Sequence, residues 1–486
     1  MDDNNQIPEE NQTKTLYETV SVTGDENVKN FDPLKAEDLS PTTSTTAPEP
    51  DSGGLNNKKK YFLIGGAILA FLILFFIVFR IFIGGSENAK EIQLTYWGLW
   101  EDKEVMQPLI DQYQANNSNI KVEYIKMTPE DYRNKLLVRS EQGQGPDIYR
   151  YHNTWVPEIK AVLSPLPDSI LSTKEYEETF FPLYKNDLKV GDNYYGIPLM
   201  VDGLVLLYND TLFKSAGINN EPKTWEDVIN NISELTVRNT NGSIVTSGIA
   251  IGTSSNIEHF SDILGLFLLQ NGSNIESLDT AEAIGALESF RRFAEPPNNY
   301  WDEAMPSALQ AFVQEKAAMI IVPSWQILSI KTLNPELNFK VVPVPSLPGG
   351  DPVSVASYWV EGVSRYSEGD KQIEAWKFLK YLSEKETMTK LYELQIASRQ
   401  FPTASSRVDL GAIQSQNEHL SAVIKQANYY KSIPTISYTF DNGLNDQINQ
   451  YLANAINSTI NGESYGSALK TAKEGVDQVI NRYKNE

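Results

Sequence analysis

The chain has 486 residues, of which 41% are hydrophobic and 10% aromatic, enough for two or three domains with cores of their own. Its 63 acidic residues against 41 basic ones give a formal net charge of -22, which argues against a nucleic-acid partner because a phosphate-binding surface needs an excess of Lys and Arg. The absence of cysteine excludes disulfides, thiolate chemistry, cysteine zinc sites and a lipid anchored on a thiol.

Residues 1–57 hold twelve acids against three bases, a Pro/Ser/Thr-rich run and almost no apolar periodicity, a pattern that predicts a disordered tail. From Tyr61 to Phe79 there are nineteen residues without a charge. At about 1.5 Å per residue they nearly cover a hydrocarbon core of about 30 Å. Arg80 can snorkel, so the expected transmembrane signal-anchor occupies 58–83, with the span itself at 61–83. A cleaved signal peptide would carry far too long an n-region. Lys58, Lys59 and Lys60 on one side against Arg80 on the other leave the tail cytoplasmic and the remainder outside, a single-pass arrangement. A polar tether over 84–91 then holds the outer body near the bilayer.

From residue 92 the pattern becomes regular. "IQLTYW" alternates as a strand, and "DKEVMQPLIDQYQANN" places Val105, Met106, Leu109, Ile110 and Tyr113 on one helical face. "IKVEYIKM" reads as a second strand, "PEDYRNKLLVRSEQG" as a helix opened by Pro129, and "PDIYRYH" as a third strand. Such alternation predicts an α/β fold with a parallel sheet and right-handed crossovers, whose ligands sit beyond the carboxyl ends of the strands. At those ends stand "WGLWE", with Trp97, Trp100 and Glu101, and "YHNTWVPE", with His152, Asn153 and Trp155. Indole clustered there waits for an apolar surface, and the C–H face of a sugar supplies one while its hydroxyls meet the polar side chains.

"GIPLMVDGLVLLYNDTLFKSAGINNEPKTWEDVI" resembles the signature stretch of bacterial extracellular solute-binding proteins, specifically the maltose/multiple-sugar-binding family of receptors for ABC importers. "QGQGPDIYRYHNTW", "ALQAFVQEKAAMIIVPSW", "EAWKFLKYLSEKE" and "RQFPTASS" are similar to further family segments in the same order. Two positions depart from that pattern. Glu315 stands where the family usually has Gly, so that turn is expected to differ. Ser357 and Tyr358 replace glycines before Trp359, and bulk there is expected to narrow the cleft.

The resemblance implies a two-lobed, periplasmic-binding-protein-like fold with a hinge and an interlobe cleft. Its first lobe would comprise 88–200 and 346–402, and its second 203–343 and 403–486. Asp202 would lie at the first crossing as a carboxylate on the cleft floor, and Trp325 matches the stacking tryptophan. His259 falls near a ligand-facing aromatic of related receptors; Trp359, Glu361, Arg399 and Tyr438 follow as ligand-binding candidates, while Asp147 is assigned to structure. The function implied is capture of a carbohydrate or similar polyhydroxylated solute and its delivery to ABC importer permease subunits, without catalysis, metal or cofactor. Two alternatives stay open: a sensor or adhesin signalling through the tail, and a glycoside hydrolase drawing two carboxylates from Glu101, Asp202 and Glu361.

Overall fold

A computed structural model describes residues 90–399 and 401–484. The tail and the apolar run at 61–83 lie outside the described residues, among which no helix is long and apolar enough to cross a membrane.

Strand β1 (Ile92–Gly98), helix α1 (Lys103–Asn116), strand β2 (Ile120–Lys126), helix α2 (Tyr132–Glu141) and strand β3 (Ile148–His152) follow in the expected order. The five apolar residues anticipated on one face of α1 are its buried set. Helix α2 starts later than Pro129, because Asp131 turns into the left-handed region at φ 55° before the helix begins. A short helix α3 (Val156–Ile159) leads to strand β4 (Ile197–Pro198), after which the chain crosses to strand β5 (Leu204–Asn209).

After β5 come α4 (Trp225–Leu235), α5 (Phe260–Gln270), α6 (Ala281–Arg291), β6 (Met319–Pro323), α7 (Gln326–Leu333) and β7 (Phe339–Val342). Helix α4 starts where it does because Thr224 and Asp227 cap each other's backbone N–H reciprocally. The chain then returns to β8 (Trp359–Val363), α8 (Asp370–Leu382) and α9 (Lys385–Arg399), and ends in α10 (Leu444–Ile460) and α11 (Tyr465–Lys484).

The first sheet has the order β2-β1-β3-β8-β4. Strands β1, β2 and β3 are parallel, whereas β8 runs antiparallel to β3, with Trp359 opposite His152 and Glu361 opposite Arg150. The second sheet is the antiparallel β6-β5-β7, which pairs Pro323 with Leu204 and Phe339 with Asn209. Strand β5 reads as a continuous apolar run because it is the central strand and is covered on both faces. Helices pack on each sheet, so two α/β layers meet where the chain passes from β4 to β5 and from β7 back to β8.

The turn at Glu315 keeps the left-handed conformation a glycine would take, with φ 58°. The strain of about 1–2 kcal/mol for a side chain there is offset by Asn209 Nδ2, which donates to the Glu315 carboxylate at 3.0 Å. A hydrogen bond thus holds the side chain of a residue whose backbone adopts the conformation that favours glycine.

Candidate ligand-binding site

Asp202 sits in the first crossing, and both lobes converge on it. Gly203 N–H donates to its Oδ1 at 2.6 Å and Ser324 N–H at 3.2 Å, while Ser357 N–H donates to its backbone carbonyl at 3.0 Å. Ser324 precedes Trp325 at the end of β6, and Ser357 lies two residues before Trp359 on β8. The acid thus anchors the approaches to both tryptophans.

Two aromatic walls follow from this. Trp359 is half-buried and contacts Trp100 at 5.6 Å, Trp155 at 5.4 Å and His152 at 5.1 Å between ring centres. Trp325, also half-buried, meets Tyr438 at 6.1 Å and His259 at 5.7 Å. The segment 438–442 spans the two walls, since Tyr438 belongs to the second and Phe440 approaches Trp100 at 6.0 Å. Its backbone alternates through left-handed residues, with φ 57° at Tyr438, 56° at Phe440 and 48° at Asn442. Strain of this kind, held in place by surrounding structure, is typical of ligand clamps.

Several residues expected at the ligand serve the protein instead. Glu361 is buried, and Arg150 Nε donates to its Oε1 at 2.6 Å across the sheet. Glu101 accepts from Gln395 Nε2 at 2.9 Å and from Arg399 at 3.2 Å, so these two candidates neutralise one another. Trp97 packs against Tyr132 under the Lys135 ammonium, apart from Trp359 and its neighbours. Trp155 is fully buried and supports Trp359 from behind. Asn153 donates to Ser432 at 2.7 Å and accepts from Tyr358 N–H at 3.2 Å, tying two chain crossings together. His152 and His259 are buried, each with both ring nitrogens engaged. The surfaces left open belong to Trp100, Trp325, Trp359, Tyr438 and Phe440, with Asp202 8% exposed between them.

Asp202 differs from expectation in one respect. Its Oδ1 is already met by backbone donors, so a ligand is not needed to satisfy that oxygen. Burial pushes its carboxyl up to about 7 in spite of the hydrogen bonds from Ser324, Gly203 and Trp325 that favour the charged form.

The expected narrowing by Tyr358 does not occur. Trp359 stays half-buried, whereas Tyr358, just ahead of β8, is fully buried. There its hydroxyl donates to Asp187 and its ring packs edge-on to Tyr184 at 5.0 Å.

A cavity of about 510 Å3 lies elsewhere on the second lobe, lined by Trp225, Phe267, Phe293 and Leu347 among others. Its indole N–H is spent on Gln270 Oε1 at 2.6 Å, and Gln270 in turn donates to the Pro345 carbonyl at 2.8 Å. Volume alone does not make it the better candidate, because it lies away from Asp202, Trp325 and Trp359, none of which lines it.

The family model described as bacterial extracellular solute-binding protein matches residues 97–389, more than half of the chain. The chain belongs to that family. It is 23% identical over 290 residues to the maltotriose-binding protein of Pyrococcus abyssi, covering 58% of this chain and 59% of that one. It is 28% identical over 258 residues to the maltodextrin-binding protein MdxE of Bacillus subtilis, covering 50% and 57%. The chain thus spans less than two thirds of the length of these two relatives. Among solved structures, the sugar-binding protein MalE of Xanthomonas citri shares the fold at TM-score 0.67 and 19% identity, over 81% of this chain and 98% of that one. A cyclo/maltodextrin-binding protein complexed with maltotetraose does so at 0.67 and 16%, over 81% and 98%. Neighbours of this two-lobed fold are binding proteins rather than enzymes.

Proposed function

We propose that this family member captures a carbohydrate between the two aromatic walls and delivers it to an ABC importer, while residues 58–83 anchor it in the membrane with the body, 88–486, outside. The lobes are 88–200 with 346–402 and 203–343 with 403–486, and they close around the solute. The observation that carries the reading is the pair of half-buried tryptophans, Trp325 and Trp359, each tied through the adjoining chain to Asp202. Two indole faces and a single acid suit a pyranose, whose C–H faces stack and whose hydroxyls donate to carboxylate oxygen. Names of relatives point the same way, being receptors for maltotriose and maltodextrin.

Hydrolysis finds less support. It needs two carboxylates facing one sugar across about 5–10 Å, and of its three candidates Glu101 and Glu361 are held in ion pairs.

The test is a panel of maltose, maltotriose, mannobiose and D-tagatose titrated into the purified full chain, read by thermal shift and tryptophan fluorescence. Saturable binding of at least one sugar, with a rise in Tm and a fluorescence change, is expected. No response to any of the four contradicts the proposal.

A further inference from the structure

The surroundings of Ser357 fix which way its hydroxyl meets His152. The chain of contacts starts at the N-terminus of α10, where Asn445 Nδ2 lies 2.9 Å from Asp441 Oδ2 and 2.8 Å from Thr154 Oγ1. An amide nitrogen only donates, so Thr154 Oγ1 accepts there and its own proton is free to go to His152 Nδ1 at 2.8 Å. The Thr154 backbone N–H also faces Nδ1, at 3.4 Å. Two donors on one nitrogen make Nδ1 the acceptor of a neutral imidazole. Burial keeps the ring neutral by pushing its pKa down to about 3. The single ring proton is therefore on Nε2, which lies 3.2 Å from Ser357 Oγ.

Ser357 Oγ thus receives a hydrogen bond and has its own proton left to give. His152 is the hydrogen-bond partner of this hydroxyl among the described residues. Ser357 is half-buried, lies two residues before Trp359, the first residue of β8, and binds the Asp202 carbonyl through its N–H. It lies between the first wall and the floor acid.

On the reading of the site given above, we infer that Ser357 is a specificity-determining residue whose hydroxyl donates to an oxygen of the bound sugar, with His152, Thr154 and Asn445 as positioning residues that fix this direction. An acceptor such as a hydroxyl or ring oxygen is favoured at that place.

The experiment uses the full chain and the tightest binder of the four-sugar panel. Ser357→Ala should weaken binding about three- to tenfold, the range of a lost neutral hydrogen bond, with the Tm of the sugar-free protein within about 2 °C of wild type, as expected for a change far smaller than a core truncation. Ser357→Thr, which keeps a hydroxyl, should recover most of the affinity. Thr154→Val should weaken binding alone, yet the double variant should bind no worse than Ser357→Ala, because both changes remove one directed donor. Unchanged affinity in Ser357→Ala, or full additivity in the double variant, overturns the inference while leaving sugar binding itself intact. Absence of wild-type binding to any of the four sugars instead overturns the functional proposal and this inference with it.

Discussion

The two walls flanking Asp202 are built differently although each sets a half-buried tryptophan beside a buried histidine. The first rests on the mixed sheet. Behind it lie the Arg150–Glu361 ion pair, with Arg150 also donating to the Leu99 carbonyl at 2.7 Å, and the buried Trp155. The second rests on hydrogen bonds among Ser437, Asp262 and His259. Ser437 Oγ donates to Asp262 Oδ2 at 2.5 Å, His259 Nδ1 lies 2.7 Å from that hydroxyl, and Tyr438 stands on left-handed backbone at 36% exposure. One wall is a platform fixed by the core, while the other is a flap held by short polar contacts.

The largest expected effect breaks the platform. Glu361→Gln leaves the Arg150 guanidinium buried without its counter-charge and should cost about 3–5 kcal/mol in denaturant unfolding. Asp262→Asn on the flap side disturbs hydrogen bonds alone and should cost about 1–3 kcal/mol. Equal losses would erase the distinction between the walls.

Next in size is the acid between them. A carboxyl raised in the folded chain contributes stability that is fully present below the ordinary carboxylate range and is lost as pH rises to about 7, the value burial gives Asp202. The difference in stability between wild type and Asp202→Asn should therefore shift toward the variant between about pH 4 and 7. Above that window it should be flat. Parallel stability–pH curves for the two proteins would mean that Asp202 is not buried as described.

The smallest effects separate the tryptophans. Trp325→Ala and Trp359→Ala should each weaken sugar binding about tenfold, equivalent to about 1.4 kcal/mol. Only Trp359→Ala should also lower Tm clearly, because its indole contacts Trp100, Trp155 and His152. A larger Tm loss in the Trp325 variant would reverse the assignment of platform and flap.

Much of the fold was legible because periodicity is local. The apolar face of α1 and the alternation of β1 follow from neighbouring residues, and the ordered motifs pointed to the family before any coordinates. The site was legible as residue types and much less as roles. Glu361 reads as a ligand-binding candidate two residues after Trp359, and nothing nearby in sequence announces that Arg150, across the sheet, neutralises it. The same holds for Glu101 and Arg399, which the fold brings together from distant segments. Ser357 and Tyr358 both read as added bulk, yet Ser357 stays half-buried beside His152 while Tyr358 is fully buried with its hydroxyl on Asp187. Both precede β8, where no strand periodicity announces which way a side chain faces. Thr154 and Asn445 gave no local sign, because the hydrogen bond that joins them links residues 291 positions apart in the chain.

A crystal structure of the protein grown with the tightest-binding sugar of the panel tests the central claim most directly. The account predicts a sugar ring against the open faces of Trp325 and Trp359, with an oxygen within hydrogen-bonding distance of Asp202 or Ser357. A sugar seated instead in the cavity beside Trp225, with both of those indoles untouched, would contradict it.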